Sequence, residues 1–127
     1  MSEPARILVV DDTPANVKLL VDLLTMKGYA AASAVNGEDA LAMIAAQPPD
    51  LVLLDIMMPG LSGYEVCRRI RANAETAAIP VVAFTASVTA NDRNRITGAG
   101  FTAFIGKPIN LKEFVETVRR VVDGGRR

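Results

Sequence analysis

The chain contains no histidine and only one cysteine, and its fourteen basic residues are balanced by fourteen acidic ones. Without histidine or a second cysteine, it can form neither a zinc site of the usual nitrogen and sulfur ligands nor an internal disulfide. A net charge of zero gives no general attraction to nucleic acid or to an anionic membrane. No stretch has the features of a signal peptide or a membrane span. These absences favour a protein of the reducing cytoplasm that acts through specific protein partners.

The length and composition are those of an ordinary globular protein, with 127 residues, 50% of them hydrophobic and 22% charged. A chain of this length can bury roughly two-thirds of its unfolded surface around one core. We therefore predict a single domain over residues 1–127, with a core of about residues 5–122 and a short flexible tail from Gly124 to Arg127. The one cysteine, Cys67, lies in an apolar helical stripe, which indicates a packed side chain rather than a reactive thiol.

Short apolar runs alternate along the chain with longer segments of helical periodicity. The runs predict five strands, which are Arg6 to Val10, Tyr29 to Ala34, Leu51 to Leu54, Val81 to Phe84 and Ala103 to Ile105. Because a helical segment follows each strand, the connections are crossovers, and the strands are parallel with helices on both faces. The first, third and fourth runs are continuously apolar and are expected to be central. The sequence therefore predicts an α/β fold with a doubly wound, flavodoxin-like parallel sheet of order 2-1-3-4-5 and five helices.

Short polar residues stand before several helical segments and are candidates for N-caps, because their side chains can accept from unpaired backbone N–H groups. The candidates are Thr13, Ser62, Thr89 and Asn110. Gly28 and Gly98 suit the left-handed conformation that ends many helices. Pro48 and Pro49 should close the second helix, since neither has a backbone donor.

Polar residues also follow four of the predicted strands. Asp11 and Asp12 follow the first strand, Asp55 the third and Thr85 the fourth, and the fifth strand runs into Lys107. Ligands of open parallel sheets bind outside the carboxyl ends of the strands, near the reversal of winding. Carboxylates that meet there would repel by on the order of 4 kcal/mol for two charges about 4 Å apart. A bound cation would offset this repulsion, and oxygen ligands suit Mg²⁺ or a similar ion such as Mn²⁺.

These groups together can support phosphoryl transfer. Asp55 is the natural nucleophile, Lys107 supplies a positive charge, and the Thr85 hydroxyl can donate to a phosphoryl oxygen. Taken singly, each of these residues is more typical of a turn, a cap or the surface. Their coincidence at one edge of the sheet favours a functional site.

The four motifs resemble those of a known family in their order and in their separations. They are Ile7-Leu8-Val9-Val10-Asp11-Asp12, then Leu53-Leu54-Asp55-Ile56-Met57-Met58-Pro59-Gly60, then Thr85-Ala86, then Lys107-Pro108. The chain resembles the receiver domain of bacterial two-component response regulators over nearly its whole length. The resemblance implies that Asp55 accepts a phosphoryl group from a phosphohistidine on a sensor histidine kinase or a histidine phosphotransfer protein.

The resemblance also implies a role for each of these residues. Mg²⁺ would be held by the carboxylates of Asp12 and Asp55 and the backbone carbonyl of Met57, with Asp11 acting nearby through water. Thr85 and Lys107 would contact the phosphoryl group.

A conformational switch is implied as well, in which the aromatic side chain of Phe104 rotates inward together with Thr85. The Lys107-Pro108 bond would be a cis peptide that aims the lysine at the site. Ser87 and Met57 would influence the access of water to the phosphoaspartate. Output partners would bind the face formed by the fourth helix, the fifth strand and the fifth helix, with the protein a monomer or a phosphorylation-dependent dimer. A stand-alone relay and a receiver excised from a larger protein both remain open.

Two other readings compete with this one. A Mg²⁺-dependent hydrolase with an aspartyl nucleophile commonly places nucleophile and acid two residues apart after the first strand, whereas Asp11 and Asp12 are adjacent and Asp55 is distant. A receiver used only for binding would have no need of all these groups.

Residues 98–103 match a dinucleotide-binding fingerprint in letters, but they leave a helix and enter a strand, the reverse of what that motif requires. We therefore predict a phosphoacceptor switch that catalyses only its own phosphorylation and dephosphorylation.

Overall fold

The computed structural model describes residues 4–56, 58, 60–85, 94–96, 98–106 and 110–125. Its strands are β1 (Arg6–Val10), β2 (Ala30–Ala34), β3 (Leu51–Asp55), β4 (Val81–Thr85) and β5 (Ala103–Gly106). Its helices are α1 (Pro14–Met26), α2 (Gly37–Ala46), α3 (Gly63–Ala72) and α5 (Leu111–Gly125), and we label the helical residues 94–96 and 98 as α4. Within these ranges, no helix has both the length and the apolar character needed to cross a bilayer.

The five strands form one parallel sheet in the order β2-β1-β3-β4-β5, which confirms the predicted fold class and topology. Every residue of β3 is buried, whereas the alanine-rich β2 is largely exposed, as expected for a central strand and an edge strand. Three strands extend one residue beyond their predicted ends. Pairing explains the extension, since Asp55 pairs with Phe84 and Thr85 with Gly106.

Successive strand residues point to opposite faces of the sheet, so the core forms two layers. One layer packs against α2, α3 and α4 and includes the strand residues Leu8, Val10, Val52, Leu54, Val81 and Ala83. The other packs against α1 and α5 and includes Ile7, Val9, Leu51, Leu53, Val82 and Phe84. Helices therefore cover both faces, and the loops at the carboxyl ends of the strands remain open to form a site.

Two of the four predicted helix caps are confirmed. Ser62 and Asn110 each accept a hydrogen bond from the backbone N–H three residues along, at 3.3 and 3.1 Å, as predicted. Asn36 caps α2 in the same way at 2.7 Å, although it was not among the predicted caps. Thr89 lies outside the described residues. α2 ends at Ala46, and its C-cap residue Gln47 precedes the Pro-Pro pair expected to close it.

The glycine prediction is right at one helix end and wrong at another. Gly28 follows α1 with φ +92°, as predicted. Gly98 is helical instead, and Gly100 adopts the left-handed conformation with φ +97°, because α4 continues past the position predicted to end it. The last helix also differs from expectation, since α5 includes Gly124 and Gly125 and so extends into the segment predicted to be a flexible tail.

Cys67 is fully buried on α3 and its Sγ lies 3.4 Å from the carbonyl oxygen of Ala99. Burial raises the pKa of the thiol, and the nearby charge of Arg71 opposes this only in part. Both observations confirm a packed side chain with little thiolate character.

Candidate functional site

The register of the two central strands brings the acidic residues to one edge of the sheet. β1 and β3 are parallel neighbours, and Val10 lies opposite Leu54. The residue that follows each of these two is an aspartate, so Asp11 and Asp55 lie side by side at the carboxyl ends of the strands. Asp12 follows on the loop into α1. The reversal of winding between β1 and β3 therefore coincides with an acidic cluster, where ligands of such sheets bind.

The three carboxylates converge closely. One oxygen from each of Asp11, Asp12 and Asp55 lies within 4.8 Å of the other two. The residues Asp11 and Asp55 are 0% and 3% exposed, whereas Asp12 is exposed. Two buried acidic groups beside an exposed one form a site that solvent can reach from one side.

Asp11 is held in place by its own loop and by α1. The backbone N–H of Thr13 donates to Oδ1 of Asp11 at 2.9 Å, and Nδ2 of Asn16 donates to Oδ2 at 3.4 Å. Thr13 occupies the N-cap position of α1, but its side chain makes no capping hydrogen bond, so the predicted cap is wrong. The acceptor in this turn is the Asp11 carboxylate, which lies two residues earlier. Asn16 is not among the residues predicted from the sequence. Its position in the first helical turn after Asp11 is the signal that could have identified it.

The donor set suits a hard divalent cation. All three groups are carboxylates, and their oxygens are close enough together to bind one ion. Negative charges at this spacing repel unless a cation or hydrogen-bond donors offset them. Asp11, Asp12 and Asp55 are therefore compatible with a divalent metal site.

The other predicted site residues fall at the neighbouring strand ends. Thr85 is the last residue of β4, one position past the Phe84 that pairs with Asp55, and Gly106 ends β5 opposite Thr85. The structure describes the backbone of Thr85 but not its side chain. Lys107, Pro108, Met57 and Ser87 lie outside the described residues, and their roles stay predictions.

Phe104 lies in the middle of β5 and is half-buried. Its side chain packs against the apolar layer shared with α3 and α4, which contains Ile96 and Phe101. This placement gives Phe104 a packing role. The predicted rotation together with Thr85 stays a prediction.

The fold and the acidic edge define a flavodoxin-like α/β protein with a candidate ion site at the switch point of its sheet. The family model of the response regulator receiver domain matches residues 7–119. The chain belongs to this family.

Individual relatives agree. The chain is similar to the response regulator PleD of Caulobacter vibrioides, with 47% identity over 106 residues that cover 84% of this chain and 23% of PleD. It is similar to the polar-differentiation response regulator DivK of Brucella anthropi, with 38% identity over 116 residues that cover 91% of this chain and 94% of DivK. Among solved structures, the receiver domain of a signal transduction histidine kinase from Syntrophus aciditrophicus superposes with a TM-score of 0.90 at 30% identity, covering 97% of this chain and 93% of that one. The chain therefore spans nearly all of DivK but less than a quarter of PleD.

Proposed function

We propose that this chain accepts a phosphoryl group on Asp55 from a phosphohistidine, carried by a sensor histidine kinase or a histidine phosphotransfer protein. Phosphorylation then switches its interactions with other proteins. The observation that carries the proposal is the convergence of Asp11, Asp12 and Asp55 within 4.8 Å at the switch point of a receiver-family sheet. A cytoplasmic location follows from such a donor and is checked by cell fractionation.

The chemistry requires one bond to form and one to break. A carboxylate oxygen of Asp55 attacks phosphorus, the new O–P bond forms an acyl phosphate, and the N–P bond to the donor imidazole breaks. The imidazole nitrogen leaves with the bonding pair and takes up a proton. Asp55 suits this role because its backbone is fixed at the end of a buried strand and its carboxylate lies at the solvent-accessible edge.

Mg²⁺ is the ion that the donor set fits best, with Mn²⁺ as a substitute. Asp12 and Asp55 would hold it through carboxylates and Met57 through its carbonyl, with Asp11 supporting it through water. When bound, the ion neutralises charge on the carboxylates and on the phosphoryl oxygens. Thr85 and Lys107 complete the proposal as donors to those oxygens.

The proposal includes no turnover of an external substrate. The chain is a phosphoacceptor that catalyses only its own phosphorylation and dephosphorylation. Steady-state hydrolysis of a free phosphate ester by the purified protein would contradict this and would favour the hydrolase reading.

The interaction surface that we propose for an output partner is the face of α4, β5 and α5. β5 is the edge strand on that side of the sheet, and Ala103, Phe104 and Gly106 are half-buried in the free chain. Adding beryllofluoride with Mg²⁺ is expected to shift amide resonances along β4 and β5 as well as at the acidic cluster. Shifts confined to Asp11, Asp12 and Asp55 would contradict a switch that reaches this face.

The phosphoryl transfer itself is tested with acetyl phosphate, a small donor that needs no partner protein. The intact mass of the chain is expected to rise by one phosphoryl group when Mg²⁺ is present. Removal of the metal with EDTA is expected to stop the increase. A mass that is unchanged in Mg²⁺ would overturn the proposed function.

A further inference from the structure

The connection between β3 and α3 brings the first residue of α3 back against the residue that follows β3. The N–H of Gly63, the first residue of α3, donates to the carbonyl oxygen of Ile56 at 3.1 Å. The N–H of Ile56 in turn donates to the carbonyl oxygen of Phe84 on β4 at 3.1 Å. Ile56, the residue that follows Asp55, is therefore held between the neighbouring strand and the start of a helix.

Gly63 approaches this peptide more closely than any other residue type could. A Cβ atom built on Gly63 would lie 2.6 Å from the carbonyl oxygen of Asp55 and 2.7 Å from the Cα of Ile56. Both distances fall below 3.0 Å, which Cβ contacts essentially never do. The atoms in the way belong to the backbone at the end of β3 and just after it, so they cannot rotate aside as the end of a side chain can.

We propose that Gly63 is a positioning residue for Asp55. Its bare α-carbon lets α3 pack directly on the peptide that carries the nucleophile, and this contact sets where the Asp55 carboxylate lies relative to Asp11 and Asp12. A methyl group at position 63 would force α3 and the Asp55 carbonyl apart, by roughly the several tenths of an ångström that a normal Cβ contact needs. Displacements approaching 1 Å can slow a reaction by about 10²-fold. The inference rests on the proposed phosphoryl transfer to Asp55.

Other positions offer matched controls. Ser62 caps the same helix end, so Ser62→Ala weakens α3 at its start without adding an atom against β3. Gly28 has φ +92°, and a Cβ atom at this position would have nothing within 4 Å, so Gly28→Ala is strained through its backbone alone. Gly28 lies just before the amino end of β2, whereas Asp55 lies at the carboxyl end of β3, so the two are at opposite ends of the strands. Both changes destabilise the chain and leave the Asp55 contact intact.

The test compares Gly63→Ala with wild type under conditions where circular dichroism shows both chains folded. The rate of phosphorylation by acetyl phosphate in Mg²⁺ is expected to fall at least several-fold, and by up to about 10²-fold if the displacement approaches 1 Å. The Mg²⁺ concentration that gives half of the metal-induced thermal shift is expected to rise, because Asp55 also belongs to the acidic cluster. If Gly63 served only the stability of the fold, neither the phosphorylation rate nor the Mg²⁺ midpoint would change in a folded Gly63→Ala chain.

Ser62→Ala and Gly28→Ala are expected to melt earlier than wild type and to keep its phosphorylation rate and Mg²⁺ midpoint. Equal rates for Gly63→Ala and Ser62→Ala would overturn the inference and leave the proposed function standing. Failure of wild type itself to take up a phosphoryl group would instead overturn the proposed function.

Folding is supported, where needed, by sucrose and by adding Gly98→Ala, since position 98 is helical and has open space for a Cβ. A Gly63→Ala chain that stays unfolded even then would show that the contact serves folding, which overturns its role in positioning.

Discussion

Asp55→Asn is expected to take up no phosphoryl group from acetyl phosphate in Mg²⁺, whereas wild type gains one. The carboxamide has nearly the same shape as the carboxylate, but it lacks the negative charge that makes the oxygen nucleophilic toward phosphorus. Asp55 ends a strand whose five residues are all buried. Because asparagine has nearly the same shape as aspartate, the change should still leave the fold in place. Intact mass measurement of both proteins after the same incubation checks the result.

The matched control is Asp22→Asn. Asp22 lies on the exposed side of α1, where it pairs with Lys18 at 3.0 Å, and it is expected to keep full phosphoryl uptake. The same loss of charge is thereby tested away from the site. If Asp55→Asn still gained one phosphoryl group, the acceptor would be another residue, and the assignment of Asp55 would be wrong.

Asp12→Asn is expected to raise the melting temperature measured in EDTA and to abolish the additional stabilisation by Mg²⁺. The change removes one of three converging negative charges, and Asp12 is the exposed member of the cluster, so solvent screens much of its repulsion. We expect a gain on the order of 1 kcal/mol, or a rise of about 4 °C for a chain of this size. Bound metal stabilises the folded state only while its ligands are intact, so the Mg²⁺-dependent shift disappears.

Thermal melts of wild type, Asp12→Asn and Asp22→Asn with EDTA and with Mg²⁺ make the comparison. Asp22→Asn loses only an exposed ion pair, and its Mg²⁺ shift should equal that of wild type. A lower melting temperature for Asp12→Asn in EDTA would mean that hydrogen bonding by Asp12 outweighs the repulsion.

Much of the site could be anticipated because its residues sit at the ends of recognisable strands. The apolar runs that precede Asp11 and Asp55 can be buried on both faces only as central parallel strands. Parallel neighbours bring their carboxyl ends to the same edge, so two distant segments of sequence had to meet. The match of residues 7–119 to the receiver family agrees with that interpretation.

Other features depended on the path of the loops. Asn16 donates to Oδ2 of Asp11 in a turn after β1 where the Thr13 backbone N–H donates to Oδ1 of the same carboxylate and the threonine side chain makes no capping bond. The left-handed residue after α4 is Gly100 rather than Gly98, and the backbone N–H of Phe101 reaches back to the carbonyl of Ile96 at 3.4 Å. By local pattern alone, a glycine at either position is compatible with a helix end. Where the helix stops is decided by packing.

The sequence by itself determined the alternation of strands and helices and the acidic strand ends. Continuous apolar runs indicate strands that are buried on both faces, and the polar residues that follow these runs mark the strand ends. Only the tertiary structure decided that Gly63 returns to touch the peptide after Asp55. A glycine at the start of a helix has many possible roles, and the one it takes depends on which backbone the folded chain brings within a few ångströms. That approach is set by packing between elements and not by any local pattern.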